Sequence, residues 1–150
     1  MNPSRFELPF YQPTGAFRVS GRRDKEDQFL VIIEVAKTLP GMVKIIPKEG
    51  GRKFDWDHKV TFHLDLGDIS NLSFYLSDAA PPSPFTFHRK TLDRKEKKLE
   101  IIPGDSGRRI IKVTHEQKEI LLTLTASDVF LLTKGLISLI EEMIWKPVPG

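Results

Sequence analysis

The sequence contains no cysteine, which excludes disulfide bonds, thiolate metal ligands and cysteine nucleophiles. It has no apolar run long enough to span a membrane, and residues 1–10 show no basic segment followed by an apolar stretch, as a signal peptide would. A P-loop, a dinucleotide fingerprint and a nucleophile elbow are also absent. We therefore expect a cytoplasmic protein, nucleoid-associated if its source is bacterial, that is not an enzyme and needs no cofactor.

The four histidines form no pattern typical of a metal site. No two are spaced four residues apart, and His58 and His63 would point to opposite faces of one strand. Asp55, Asp57 and His63 would make an incomplete ligand set, so we interpret them as solvated or capping residues.

Positive charge is only slightly in excess, with a formal net charge of +3. Such an excess permits nucleic-acid binding but does not by itself argue for it. The distribution is more informative, because basic residues group in segments 18–25, 44–59, 88–98 and 108–112, whereas many acidic residues surround the predicted helices. This separation predicts a basic sheet surface and more acidic helix ends.

Two blocks of sequence recur in the same order, which indicates an internal duplication. Ile-Ile-Pro, followed after three residues by Gly-Arg, occurs at 45–52 and again at 101–108. A strand-like triplet followed by an aspartate and two leucines occurs at 62–76 and at 122–136. The offsets are 56 and 60 residues, so a four-residue insertion between the blocks would reconcile them.

Each copy has the pattern of strands followed by one helix. Apolar and polar residues alternate with period two at 60–64 and 120–124, as in half-buried strands. Asp65 and Thr125 each stand three residues before an aspartate, a pattern related to the capping box at the start of a helix. We predict an α+β fold, a tandem duplication of a four-stranded antiparallel sheet followed by a helix (ββββα-ββββα).

The chain is predicted to form a single domain over residues 1–150. Repeat one spans about 15–78 and repeat two about 85–146, joined by a proline-rich connector at 79–84. Residues 1–14 and 146–150 are expected to be irregular arms.

The second helix is apolar on two neighbouring faces. One stripe contains Leu132 and Leu136, and the other contains Phe130, Ile137 and Ile144. Its own sheet covers only one of these faces. Either a subunit interface or the helix of the other repeat covers the second, and the pattern does not decide between them.

Segment 51–72, GRKFDWDHKVTFHLDLGDISNL, resembles the Whirly family of single-stranded-DNA-binding proteins. Their repeat carries a similar Arg-Lys-Tyr-Asp-Trp run before a strand and a capped helix. Segments 85–88, 97–103 and 125–130 follow in the family's order, so the resemblance covers about residues 42–146. Segment 107–113 is also similar to a repeat of the purine-rich-element-binding Pur proteins, relatives of the positive-cofactor-four coactivators and the kinetoplastid guide-RNA-binding proteins.

The resemblance implies two four-stranded antiparallel sheets, each followed by a helix, and a homo-oligomer that is a tetramer or a dimer. It implies that single-stranded DNA lies along the sheets with little sequence preference, and it does not separate DNA from RNA. The Lys-Gly-Lys-Ala-Ala-Leu-Ser signature on an early strand of the family's plant members is absent here, where residues 29–37 occupy roughly its place.

Basic and aromatic residues interleave at 52–59 and 85–90, and sequence-independent binding of a single strand needs cations along phosphates and rings against bases. If a strand begins near Phe54, then Phe54 and Trp56 share a face. They would either stack on bases or pack in the core beneath the helix, and the same alternatives hold for Phe87. Arg52 and Arg108, each after a glycine, would make equivalent phosphate contacts or simply be solvated.

The predicted nucleic-acid-binding residues are Lys44, Arg52, Lys53, Phe54, Trp56, Lys59, Phe87, His88, Arg89, Lys98, Arg108, Arg109 and Lys112. The leading hypothesis is a single-stranded nucleic-acid-binding protein, for DNA before RNA, acting in DNA protection, recombination, replication or transcription. The alternative is a protein-interaction or scaffold module of the same fold.

Overall fold

Two four-stranded antiparallel sheets, each followed by a helix, make up the computed structural model, which describes residues 6–26, 28–39, 54–90 and 95–144. Sheet 1 has the strand order β1-β2-β3-β4 and sheet 2 the order β5-β6-β7-β8. The elements of the first repeat are β1 (Phe6–Gln12), β2 (Gly15–Arg23), β3 (Phe29–Lys37), β4 (Val60–Leu64) and α1 (Leu66–Leu76). Those of the second are β5 (Phe85–Lys90), β6 (Glu96–Pro103), β7 (Arg109–His115), β8 (Lys118–Leu124) and α2 (Ala126–Ile144). The predicted duplicated fold class is confirmed.

Period-two alternation gives each sheet an inner and an outer face. In sheet 1, Val19 pairs with Ile33, and Ile33 pairs with Phe62, so these three fully buried side chains form one cross-strand row on the inner face. The inner faces of both sheets and the buried sides of both helices form one hydrophobic core. The outer faces are therefore left for solvent or a ligand.

The helices begin where their sequence signals place them. Asp65 and Asp68 form a complete capping box, in which each carboxylate accepts a hydrogen bond from the other residue's backbone N–H, at 2.8 and 3.0 Å. Thr125 and Asp128 make the same reciprocal bonds at the start of α2, at 3.1 and 3.0 Å. Each bond satisfies a helix-end N–H that has no partner within the helix.

The second repeated block corresponds in space as it does in sequence. Phe62 on β4 pairs with Ile33, and Leu122 on β8 pairs with Ile111, at the same place in each sheet. The offset of 60 residues at this block is confirmed.

For the first repeated block, the strand register gives residues 101–103 a different counterpart from the one that the sequence match predicted. The register aligns the pair Ile101–Ile111 with Val19–Ile33, so segment 101–103 is equivalent to residues 19–21 of β2. Residues 45–47 follow β3 in the chain and lie outside the described residues. The Ile-Ile-Pro match is therefore wrong as a repeat equivalence, and Arg108 is not the counterpart of Arg52.

The first sheet also begins earlier in the chain than expected. β1 lies before residue 15, in a segment interpreted from its proline content as an irregular arm. Pro9 is compatible with this strand because β1 is an edge strand, paired only with β2, and an edge position can lack one N–H. Repeat one therefore includes residues from Phe6 onward. The expected connector at 79–84 has no helix and no strand.

None of the described helices is long and apolar enough to cross a membrane.

Candidate nucleic-acid interface

The outer face of sheet 1 carries a concave surface with several basic residues. Along β2, buried Phe17, Val19 and Gly21 alternate with Arg18 and Arg22, which point outward. These arginines line a groove of about 530 Å³. Its lining also includes Ser20, Leu30, Ile32, Glu34, Lys59 and His63.

A buried carboxylate organises one end of this groove. Glu34 is only 4% exposed and lies directly opposite Arg18 in the β2–β3 register. Its Oε1 accepts hydrogen bonds from Arg18 Nε at 3.0 Å and Nη2 at 2.8 Å, and Lys59 Nζ lies 2.5 Å from Oε2. Burial alone would raise the pKa of Glu34, but the hydrogen bonds from Lys59 and Arg18 outweigh it and hold the pKa below 4.5. The carboxylate is therefore ionised at neutral pH and fixes both cations.

An aromatic cluster adjoins these charges. The Tyr11 and Phe54 rings stack, with centroids 5.5 Å apart and planes inclined by 13°, and Trp56 meets Phe54 edge-on at 6.3 Å. The Arg18 guanidinium lies 4.2 Å from the centroid of the Trp56 ring, within cation–π range. Trp56 is half-buried and Phe54 is 4% exposed, so Trp56 is the ring of these two that a base can reach.

Phe54 and Trp56 share a face, as predicted, although no strand begins near them. Phe54 makes an isolated bridge to Thr38, and Trp56 begins a short 3-10 turn, Trp56–His58, before β4. Both rings lie on the outer face, against Ala16 and Ala36, and not in the core beneath the helix. The alternative of core packing is therefore wrong for this pair.

The outer face of sheet 2 holds three more predicted residues, but its charges are balanced. Lys98 Nζ lies 3.1 Å from the Glu100 carboxylate, and Lys112 Nζ lies 3.5 Å from that of Glu119. His88 is exposed on the same face. Each lysine here has its own acidic neighbour.

Three predicted residues point to the inner face of sheet 2 and are therefore not part of a binding surface on its outer face. Phe87 is 5% exposed and packs edge-on against Phe85 at 4.9 Å, so it offers no free ring for a base. Arg109 is 2% exposed and donates to the Asp78 carbonyl at 2.7 Å. Arg89 is half-buried on the Asp68 carboxylate at 2.8 Å. The alternation in β5 and β7 predicts these orientations, because each residue has the parity of the core positions of its strand.

The remaining predicted residues are divided between exposed and undescribed segments. Arg108 is exposed beside the short 3-10 turn Asp105–Gly107. Lys44, Arg52 and Lys53 lie outside the described residues.

Sequence reasoning missed Arg18, Arg22, Glu34 and Tyr11 as site residues. The signal for the two arginines was present, since in β2 they alternate with residues of a buried strand face. The contribution of Glu34 was hidden, because it depends on a register that pairs it with Arg18 across two strands.

The fold and this face define a duplicated sheet-and-helix protein with a basic, aromatic-flanked outer face. No family model and no curated protein matches the sequence. Two solved structures do match the fold. The crystal structure of WHY1 from Arabidopsis thaliana superposes with a TM-score of 0.69 at 16% identity, over 93% of this chain and 91% of that one. WHY3 from Arabidopsis thaliana gives 0.64 at 15% identity, over 93% and 88%. The chain therefore has a Whirly-like fold.

Proposed function

We propose that this protein binds single-stranded nucleic acid, DNA in preference to RNA, along the outer face of sheet 1. The observation that carries the proposal is that Arg18 and Arg22 line one groove and that the Trp56 ring lies next to it, 4.2 Å from the Arg18 guanidinium. This face combines a ring that a base can stack on with cations that can contact phosphates.

The groove has the features of sequence-independent binding. Its floor includes the aliphatic side chains of Leu30 and Ile32, which contact bases without reading their hydrogen-bonding edges. Arg22 is exposed and makes no ion pair with the described residues, so it is available to a phosphate. A stacked base contributes about 1–3 kcal/mol, and phosphate contacts make the affinity dependent on salt. A protein of this kind acts in DNA protection, recombination, replication or transcription.

Predicted contacts from His88, Lys98, Arg108 and Lys112 form a second, weaker part of the proposal. The lysines on sheet 2 are matched by glutamates, so a phosphate would have to compete with those carboxylates. We therefore place the main binding surface on sheet 1.

Self-association completes the proposal, because α2 keeps one apolar face in solvent. α1 packs against α2, yet Phe130 is 62% exposed, Ile137 37% and Ile144 55%. The helix of the other repeat thus leaves the second stripe uncovered, and a second copy of this chain is the proposed cover. Light scattering on the wild type and on Phe130→Glu tests this: we expect an oligomer that dissociates on substitution, and a wild-type monomer would contradict it.

A salt-dependent titration tests the binding proposal. Fluorescence polarisation with a labelled single-stranded DNA oligonucleotide should show binding at low salt. The logarithm of the association constant should then fall linearly with the logarithm of the salt concentration. Competition with unlabelled RNA of the same sequence reports which ligand is preferred. If no binding occurs at low salt, or if salt has no effect, the proposal is wrong and the alternative of a protein-interaction module gains support from the exposed stripe on α2.

A further inference from the structure

Four basic residues form a single row on the inner face of sheet 2. Arg89 on β5 lies opposite Lys97 on β6, Lys97 lies opposite His115 on β7, and His115 lies opposite Lys118 on β8. Neighbouring strands are about 4.8 Å apart, so the row extends about 14 Å. Like charges directly opposite one another in a sheet are destabilising, and the row therefore needs an explanation other than stability.

The row is neither fully neutralised nor covered. The Asp68 carboxylate contacts Arg89 at 2.8 Å, but Arg89 keeps about a third of its side chain exposed, and Lys118 is exposed. The Nε2 atom of His115 is buried and has no hydrogen-bond partner among the described residues. The described residues therefore leave part of the hydrogen-bonding capacity of this row unused.

The row adjoins the groove of sheet 1. Lys97 Nζ donates a hydrogen bond to the backbone carbonyl of Thr61 on the free edge of β4. Thr61 lies between Lys59 and His63, which both line the groove, and the residues of a strand are about 3.3 Å apart. Lys97 therefore lies at the rim of the groove. A nucleic-acid strand that leaves the groove across β4 would reach Lys97 first.

We propose that Arg89, Lys97, His115 and Lys118 are a second phosphate-binding site that continues the nucleic-acid path beyond the groove. The inference rests on the proposed function and extends it. A short nucleic-acid strand occupies only the groove, whereas a longer nucleic-acid strand also crosses β4 and contacts the row. The internal repeat supplies a comparison, because the equivalent positions of sheet 1 are Gln12, Gly15 and Lys37, with His58 before β4 at the position of Lys118, and Lys37 is the one lysine among them.

The test compares a short oligonucleotide, about 8 nucleotides, with a long one of about 24, since single folds of this kind of binder occupy roughly 4–16 nucleotides. The variants are Lys97→Gln and Lys118→Gln, with Lys37→Gln as the matched control from the other repeat. For the long strand, each row variant should lower the log–log salt slope by about 0.7 and the affinity about fivefold at 0.1 M salt. The short strand should bind all variants equally, and the control should match the wild type with both strands.

The outcomes separate this inference from the proposed function. A wild-type protein that binds neither strand would overturn both. The second site alone is wrong if the wild type binds but the row variants keep its log–log salt slope with the long oligonucleotide. It is also wrong if the row variants lose only as much affinity as Lys37→Gln does. Lys118 is exposed, so Lys118→Gln keeps the test decisive even where Lys97→Gln disturbs the contact with Thr61.

Discussion

Replacing Glu34 by glutamine should destabilise the fold markedly, although the change removes only a charge. The carboxylate accepts two hydrogen bonds from Arg18 and lies 2.5 Å from Lys59 Nζ, with 6% of its side chain exposed. Removing one partner of a fully buried ion pair costs about 3–5 kcal/mol. The side chains of Arg18 and Lys59 remain 23% and 39% exposed and can regain water, so we expect a smaller loss of about 2 kcal/mol.

The expected loss is measurable in two ways. At pH 7, about 2 kcal/mol corresponds to a fall in Tm of roughly 4–8 °C for a domain of this size. Because the folded-state pKa of Glu34 lies below 4.5, its contribution is present above pH 4.5 and is lost as the pH falls through the folded-state value. The stability difference between wild type and Glu34→Gln should therefore shrink in acid.

Urea unfolding at pH 7 and at pH 3 checks both expectations. Glu119→Gln is the control, because that carboxylate is 50% exposed beside Lys112 and should change stability by less than about 0.5 kcal/mol. Equal stability of Glu34→Gln and wild type at pH 7, or a difference that persists unchanged at pH 3, would refute the account of the buried cluster.

Three further predictions concern the Trp56 ring, a close approach of the backbone at Gly15 and the half-buried Lys97. Trp56→Ala should weaken binding of single-stranded DNA by about 1–3 kcal/mol in a polarisation titration, while Trp56→Phe keeps most of the affinity; equal affinities would exclude stacking on this ring. Gly15→Ala should destabilise the fold by about 1–3 kcal/mol in urea, because its Cβ would lie 2.6 Å from the Ala36 carbonyl oxygen, and Gly67→Ala, whose Cβ meets nothing closer than 3.3 Å, should not. Burial and the Arg89 charge lower the pKa of Lys97 below 10.5. Because the folded protein then gives up this proton more readily than the unfolded chain, the stability of the wild type relative to Lys97→Met should rise between pH 7 and pH 10.5. A stability difference that falls over this range in urea unfolding would contradict the lowered pKa.

The fold was largely predictable because local patterns and tertiary packing agree. The alternation of residues 60–64 and the capping signal at Asp65 act over short distances, and both are found in the structure. The Ile-Ile-Pro match failed because a sequence repeat reports likeness of residues, whereas equivalence in a sheet is set by register. β1 was missed because Pro9 is typical of irregular segments, and only its edge position makes it compatible with a strand.

The site was less predictable than the fold, because it depends on which face each residue occupies. Phe87 follows the same interleaved pattern as Trp56, yet Phe87 shares the parity of buried β5 positions and Trp56 precedes its strand in a 3-10 turn. Charge pairing across strands was also hidden. Whether Arg18 and Glu34 meet depends on a pairing between strands separated by a turn, which no local pattern reports.

The two repeats place opposite charges at the same register position but with reversed polarity, and this difference is one reason why the charges on their outer faces are balanced differently. Arg18 faces Glu34 across β2 and β3, and Glu100 faces Lys112 at the equivalent position across β6 and β7. In sheet 1 the buried Glu34 carboxylate is shared by Arg18 and Lys59, and Glu7 lies 3.8 Å from Arg18. Arg22 adds a third cation to the same groove, so the groove keeps an excess of positive charge.

In sheet 2 the acid faces outward beside Lys98, and each lysine contacts a glutamate of its own. A polyanion gains little from cations that are already matched, whereas in sheet 1 the three cations Arg18, Arg22 and Lys59 outnumber the two carboxylates of Glu7 and Glu34 in the same groove. The duplicated architecture thus provides two similar sheets, and the polarity of one cross-strand pair of charges contributes to the difference in charge between their outer faces.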